Sequence, residues 1–253
     1  MMFKAQCEEH GASDEGYLSD YHVSLGGLPN VMWSHGTKHR RDLVGNRNVD
    51  PNLRRRRRTL FLIRDPRDAL VSCYYHEVYR NGPEVYSPEE WSEMFAGASI
   101  EDRCPPIEAY ARSNTRGIDY LIHFYNHWVG IQQEFKAFQI VRYEDLRADP
   151  VLTLSAAMSF LMLPVSPAAA LAAVEYSSFD NMRQLELANT MPQADLSGPA
   201  EATDSRGFKV GKGVVGGYVD ELDEGLVEYV DRAVEERLNP VFGYSGKPRN
   251  GTA

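Results

Sequence analysis

The chain has 253 residues, of which 43% are hydrophobic and 25% charged, so it is long enough for one sizeable α/β domain or two small ones with a packed core. Its formal net charge of −9 argues against general nucleic-acid binding, although a local basic pocket for a phosphorylated small molecule stays open. Three widely spaced cysteines form neither a disulfide framework nor a zinc pattern, and the sequence lacks an apolar run of about 18–20 residues that could span a bilayer, so we expect a cytoplasmic protein.

The first clearly patterned segments of the chain are two candidate strands. Residues 1–29 are polar and weakly patterned, and we expect them to be mostly irregular. "NVMWSH", Asn30–His35, is a short apolar run that predicts a strand. "TLFLIR", Thr59–Arg64, is continuously apolar, as in a parallel sheet covered on both faces. The arginine run Arg54–Arg58 before it is interpreted as a solvated turn, with attraction of an anionic substrate as the alternative.

Helices and one more strand are predicted after Thr59–Arg64. Asp65 can cap a helix that runs to Tyr75, and Pro66 suits its first position. Residues 81–117 are interpreted as an irregular excursion with a short amphipathic piece around Trp91, and a lid or a helical insert is the alternative. The remaining predicted elements are a helix at 118–135, a strand at 137–143, helices at 150–163 and 168–174, a mobile loop at 189–207, an acidic amphipathic helix at 220–238 and a frayed tail at 245–253.

The alternation of strands and helices predicts an α/β fold, a three-layer parallel sheet flanked by helices, within a single domain over residues 1–253. In such a sheet ligands bind at the carboxyl ends of the strands. That rule selects His35, Arg64 and Tyr143, each of which ends a predicted strand. We therefore expect these three polar side chains to border a ligand site.

Arg64 stands beside the predicted start of a helix, and this placement suggests an anion site. A helix N-terminus offers unpaired N–H groups and partial positive charge, and an arginine adds a fork for a phosphate. Ser72, two turns into the helix, can add a hydroxyl if it faces the same way. The alternative is a capped helix whose arginine pairs with Asp65 or Asp68.

Five segments resemble, in order, those of the sulfotransferases that use 3′-phosphoadenosine 5′-phosphosulfate (PAPS). "LIRDPRDALVSCYY" resembles the 3′-phosphate-binding segment, and "VRYEDLRADP", Val141–Pro150, resembles the Tyr-Glu-Asp-Leu segment that positions the nucleotide. "SSFDNM", Ser177–Met182, is similar to the segment beside the adenine. "VGKGVVGGY", Val210–Tyr218, is similar to the segment that closes over the 3′-phosphate, and "NVMWSHG" to the strand end that presents a catalytic histidine.

The resemblance implies a role for each matching residue. His35 would be the general base that takes the proton of an acceptor hydroxyl or amine, since histidine titrates near neutral pH; the alternative for it is a strand-end histidine bonded to a loop. The implied nucleotide contacts are the 3′-phosphate ligands Arg64, Ser72, Lys212 and Gly213, the nucleotide-positioning Tyr143, and the adenine-pocket residues Ser177, Ser178, Phe179 and Met182. For Phe179 and Met182, a place in the core is the alternative.

The resemblance also implies a phosphate-loop, nucleotide-kinase-like fold, PAPS as cosubstrate without a metal, and a small-molecule acceptor. Residues 1–34 lack the family's first strand and its Pro-Lys-Ser-Gly-Thr-Thr-Trp loop, which wraps the 5′-phosphosulfate, and Gly211 replaces a usual arginine. We therefore expect weak or no turnover from a truncated gene product or a diverged relative, because each lost donor to developing charge costs roughly 100- to 1,000-fold in rate. The alternatives are a non-catalytic protein that binds the nucleotide and a phosphate-loop kinase relative, whose lysine-bearing loop and magnesium-binding pair the sequence lacks.

Overall fold

The computed structural model describes residues 55–163, 165–188, 205–208, 210–211 and 213–246. The predicted strand at Asn30–His35, the segment 1–29 and most of the predicted loop at 189–207 lie outside the described residues, as does the chain after residue 246. Within the described residues, β1 (Arg58–Ile63) and β2 (Ala137–Arg142) pair as a parallel two-stranded sheet. Helices surround these strands in the chain, so the structure is α/β, as predicted.

The helices that the structure describes are numbered here in chain order. They are α1 Pro66–Tyr75, α2 Pro88–Met94, α3 Ile107–Ala111, α4 Ile118–Gly130, α5 Tyr143–Ala148, α6 Pro150–Phe160, α7 Pro167–Tyr176, α8 Phe179–Leu187 and α9 Glu224–Arg237. A π-helical turn spans His76–Asn81, and 3₁₀ turns span Pro83–Val85, Gln132–Glu134, Ser205–Gly207, Gly217–Asp220 and Pro240–Phe242. Among the described residues, none of these helices combines the length and the apolar character needed to cross a membrane.

The junction from β1 to α1 follows directly from its sequence. Alternate residues of a strand face opposite sides, so Phe61 and Ile63 are buried while Leu62 is 62% exposed. Asp65 then leaves the strand, and its carboxylate accepts the N–H of Arg67 at 2.9 Å. Pro66 occupies the first turn, where a missing N–H costs nothing. Strand β1 and helix α1 are therefore separated by only Arg64 and the cap residue.

The chain divides into two compact units, and the first comprises Met1–Phe61, Gln132–Val141 and Asp145–Ser197. In its described part, α6 packs against α7 and α7 against α8, and Ala170 of α7 is fully buried. The Nη1 of Arg58 donates to the carbonyl of Phe160 at 3.1 Å, and its guanidinium lies over that ring. The last arginine of the run at 54–58 thus has a structural contact.

The second unit comprises Leu62–Ile131, Arg142–Glu144 and Gly198–Ala253. Helices α1, α4 and α9 pack against one another, and Leu70, Ile118 and Val230 are fully buried there. An aromatic cluster is buried in the same unit, with ring centroids 4.5–6.4 Å apart between neighbours; it consists of Tyr74, Trp91, Phe95 and Tyr110. Burial of aliphatic and aromatic surface therefore fixes the helix that follows Arg64.

Candidate functional site

The backbone of Arg64 is fixed at the carboxyl end of β1 in the second unit. The hydroxyl of Tyr125, on α4, donates to the Arg64 carbonyl at 2.9 Å and lies 3.4 Å from the Arg64 nitrogen. Burial raises the pKa of Tyr125, so this hydroxyl stays protonated and able to donate at neutral pH. Helix α4 thereby sets the direction in which the Arg64 side chain leaves the strand.

The guanidinium of Arg64 brings two of the predicted segments together. It lies 4.8 Å from the centroid of the Tyr143 ring, and its Nη2 donates to the carbonyl of Val214 at 2.9 Å. The same Nη2 is 3.6 Å from a carboxylate oxygen of Asp68. The buried Nε has no hydrogen-bond partner within the described residues. A cation whose side chain is 27% exposed is a suitable group for binding an anion.

Tyr143 follows β2 directly, as the first residue of α5, and its neighbour Glu144 joins the two strand ends. The Glu144 carboxylate accepts the N–H of Asp65 at 2.9 Å and the hydroxyl of Tyr244 at 2.6 Å. The carboxyl ends of β1 and β2 are thus tied by a side chain, as well as by the sheet. Arg64 and Tyr143, which sequence reasoning selected as strand ends, lie in contact.

The segment at 213–218 meets the same helix terminus. Gly213 and Gly216 have φ angles of +65° and +74°, a region that glycine enters without strain. The Asp68 carboxylate accepts the N–H groups of Gly216 at 2.8 Å and Tyr218 at 3.0 Å. Lys212, the predicted charged residue of this segment, lies outside the described residues, as does His35.

Buried charges hold this region together. The Arg67 guanidinium, 2% exposed, binds Asp65 at 2.7 Å and Asp231 at 2.6 Å, and the Tyr218 hydroxyl also donates to Asp231. Burial alone would lower the pKa of Arg67, but its bonds to Asp65 and Asp231 outweigh burial and raise it. Burial raises the pKa of Asp68, and nearby Arg64 partly offsets that effect. The predicted alternative is therefore observed within the described residues: Asp65 caps α1, and Arg64 forms an ion pair with Asp68 at 3.6 Å, while Asp65 itself pairs with Arg67.

Ser72 lies on the exposed side of α1, opposite the buried face that includes Leu70, Val71 and Tyr74. Its hydroxyl has no hydrogen-bond partner among residues that the structure describes, so it is accessible to a ligand. The contact that sequence reasoning proposed between Ser72 and an anion stays a prediction.

The predicted adenine-pocket residues lie in the first unit, around the start of α8. The Ser177 hydroxyl donates to the carbonyl of Ala173 at 2.5 Å, and the Ser178 hydroxyl accepts the N–H of Asn181 at 3.4 Å. Phe179 is half-buried and Met182 is buried. The two serines thus have local capping contacts at the ends of α7 and α8, and their adenine contacts stay predictions.

Three contributors to the Arg64 region were not identified from the sequence: Tyr125, Glu144 and the Val214 carbonyl. The first two could have been suggested by their positions, one on the helix predicted at 118–135 and one beside Tyr143. A backbone carbonyl has no sequence signal. In the described part of the chain, no cluster of His, Cys, Asp and Glu side chains has the geometry of a metal site.

The family model of the sulfotransferase domain matches residues 49–241. The chain belongs to the sulfotransferase family. Human sulfotransferase 2A1 is 25% identical to it over 181 residues, which are 72% of this chain and 56% of that protein. Cytosolic sulfotransferase 10 of Arabidopsis thaliana is 23% identical over 188 residues, 71% of this chain and 49% of that protein.

Among solved structures, retinol dehydratase in a complex with retinol and PAP is similar to this sulfotransferase-family chain with a TM-score of 0.49 and 17% identity, over 70% of this chain and 46% of that one. The family segments that the sequence matches from Arg64 onward fall within the matched range 49–241, whereas His35 precedes it. This sulfotransferase-family chain spans about half the length of the curated relatives it matches, 56% and 49% of the two above.

Proposed function

We propose that this chain binds the 3′-phosphate of PAPS at Arg64 and serves sulfuryl transfer to a hydroxyl or amine of a small-molecule acceptor. The observation that carries the proposal is the position of the Arg64 guanidinium. It lies at the end of β1, against Tyr143 and the Val214 carbonyl, with Nε unpaired within the described residues. Three segments that resemble nucleotide-binding segments of the family supply these groups, and family membership makes PAPS the expected donor.

The chemistry requires alignment and charge stabilisation more than covalent catalysis. The acceptor oxygen or nitrogen forms a bond to sulfur while the bond from sulfur to the 5′-phosphate oxygen breaks, and 3′-phosphoadenosine 5′-phosphate (PAP) leaves with that electron pair. His35 takes the acceptor proton in this proposal. Arg64, Ser72, Lys212 and Gly213 hold the 3′-phosphate, Tyr143 positions the nucleotide, and Ser177, Ser178, Phe179 and Met182 shape the adenine pocket.

Binding and turnover are separate parts of the proposal, because residues 1–34 contain no loop of the Pro-Lys-Ser-Gly-Thr-Thr-Trp form. A chain without this loop would bind PAP through its 3′-phosphate, and it would transfer sulfate slowly or not at all. The name of the Arabidopsis relative, a cytosolic sulfotransferase, supports a cytoplasmic location.

Calorimetry with PAP and with adenosine 5′-phosphate tests the binding part, since the two differ only in the 3′-phosphate. We expect PAP to bind at least about 10-fold more tightly, the effect of one charge-assisted hydrogen bond of about 1.5 kcal/mol. Equal affinities would refute a 3′-phosphate site. Sulfate transfer from labelled PAPS to a panel of alcohols and amines tests the reaction, and turnover that survives His35→Ala would exclude the general-base role.

A further inference from the structure

Asp68 is a buried carboxylate that holds two backbone groups of a distant segment. It is 3% exposed and lies in the first turn of α1. Its Oδ2 accepts the N–H of Gly216 at 2.8 Å, and its Oδ1 accepts the N–H of Tyr218 at 3.0 Å. Each oxygen takes a different donor, so an asparagine in this place could accept only one of the two and would turn an NH₂ group towards the other.

The segment at 213–218, called the 213–218 loop below, is also attached to Arg64. The Val214 carbonyl accepts from Arg64 Nη2 at 2.9 Å, and that Nη2 is 3.6 Å from Asp68. Gly216, at φ +74°, makes the turn that directs the loop's N–H groups to the carboxylate. Asp68 and Arg64 therefore hold the loop at adjacent points, one through N–H groups and one through a carbonyl.

We propose that Asp68 is a positioning residue that fixes the 213–218 loop against Arg64, so that the loop and the guanidinium hold one phosphate together. The inference rests on the proposed function, since it assigns the phosphate to Arg64. A loop already ordered before the ligand arrives spares the conformational entropy that binding would otherwise lose. The Tyr218 hydroxyl is separately bound to Asp231, so the Tyr218 side chain stays held without Asp68, and the loss of Asp68 acts on the backbone N–H groups of Gly216 and Tyr218.

Positioning and charge predict opposite effects when Asp68 is replaced. A carboxylate next to Arg64 repels an incoming phosphate, so an electrostatic role alone predicts tighter PAP binding after its charge is removed. A positioning role predicts weaker binding, because the loop must then be ordered by the ligand. Ordering one backbone residue already costs a factor on the order of ten in affinity.

The experiment measures the full-length chain and its Asp68→Ala and Asp68→Asn variants by calorimetry with PAP and by hydrogen exchange at the backbone amides of the loop. We expect at least about 10-fold weaker PAP binding for Asp68→Ala, with faster exchange at both Gly216 and Tyr218 in Asp68→Ala and at one of the two in Asp68→Asn. Asp68→Asn retains one acceptor and guards against loss of folding, which circular dichroism monitors.

Asp223→Ala is the matched control. The Asp223 carboxylate accepts the N–H of Leu226 at 2.9 Å at the start of α9, so its loss removes a helix cap in the same unit. We expect this variant to be destabilised with unchanged PAP affinity and unchanged exchange at Gly216.

Unchanged or tighter PAP binding in the folded Asp68 variants would overturn the positioning role and leave the proposed function intact. Unchanged exchange at Gly216 and Tyr218 would also overturn it. A parent chain that does not bind PAP would instead refute the proposed function, and the role of Asp68 in phosphate binding with it.

Discussion

Replacing Arg64 with alanine tests the site most directly. The guanidinium contributes a hydrogen bond to the Val214 carbonyl, a contact with the Tyr143 ring and an ion pair with Asp68 at 3.6 Å, and its side chain is 27% exposed. These contacts are worth about 1–2 kcal/mol of stability together. Loss of charge-assisted bonds to a phosphate costs a further 1.5–3 kcal/mol of binding free energy, or about a 10- to 150-fold weaker affinity for PAP.

Arg112→Ala is the control, because Arg112 also has a carboxylate partner and lies over a tyrosine ring elsewhere in the second unit. Its Nε donates to Glu108 at 3.0 Å and its guanidinium lies 4.3 Å from the Tyr229 ring centroid. Both variants are titrated with PAP in a calorimeter after urea unfolding has measured their stability. If the two variants bind PAP equally well, the reasoning that places the 3′-phosphate at Arg64 is wrong.

Three further predictions concern stability. Glu144→Ala leaves the N–H of Asp65 and the hydroxyl of Tyr244 without their acceptor, and urea denaturation should show a loss of about 1–3 kcal/mol, against about 1 kcal/mol for Tyr244→Phe. Burial raises the pKa of Tyr125 and Tyr244 above the ordinary tyrosine value of 10.0, so the folded state binds more protons above that pH and stability should fall as pH rises past 10; urea unfolding that gave the same free energy below and above that pH would contradict this. Ser178→Ala removes the N-cap of α8 and should cost about 1 kcal/mol, measured by thermal unfolding, and no change would show that the cap is unimportant.

Local sequence signals predicted the region from β1 to α1 well. A continuous apolar run, an aspartate cap and a proline at the first helical position agree there, and the structure begins β1 and α1 within one residue of the prediction. Strand β2 and helices α4, α6, α7 and α9 were also predicted, although α4 ends at Gly130 rather than Phe135, and α9 begins only after its cap, Asp223. Boundaries depend on which polar side chain meets a terminal N–H, and that is decided in three dimensions.

Helices α5 and α8 were missed for different reasons. Helix α5 starts at the residue after β2, so no turn-forming residue separates the two periodicities. Helix α8 has a serine cap in Ser178, but the resemblance of this segment to a nucleotide-binding sequence does not by itself predict a helix. For the segment at 81–117 the sequence predicts an irregular excursion, with a helical insert as one alternative, and the structure has two short helices there, of which α2 has a complete capping box between Ser87 and Glu90.

Strand ends can be located from the sequence, so the proximity of two predicted site residues could be predicted, whereas their contacts with a ligand stay predictions. Arg64 and Tyr143 were selected by that rule, and their contact over 4.8 Å agrees with it. The hydrogen bonds from Gly216 and Tyr218 to Asp68 join residues about 150 positions apart in the chain. The only sequence signal at Asp68 is its i,i+4 spacing from Arg64, which predicts an ion pair and not these bonds. Hydrogen bonds to a distant backbone depend on how the loop turns, and periodicity does not encode that.

The net charge of the chain argues against binding of nucleic acid, but it does not argue against binding of a small molecule with one phosphate group. A net charge of −9 disfavours a long polyanion, which must contact many surface groups at once. A single phosphate needs only a few donors, and the Arg64 region provides a guanidinium whose nearest carboxylate, Asp68, is already engaged by two N–H groups. Because these two hydrogen bonds stabilise the Asp68 carboxylate, Asp68 depends less on Arg64 for its stabilisation, and the guanidinium can interact more strongly with a bound anion. The carboxylate that most directly opposes an anion here is thus also the group that assembles the loop beside it.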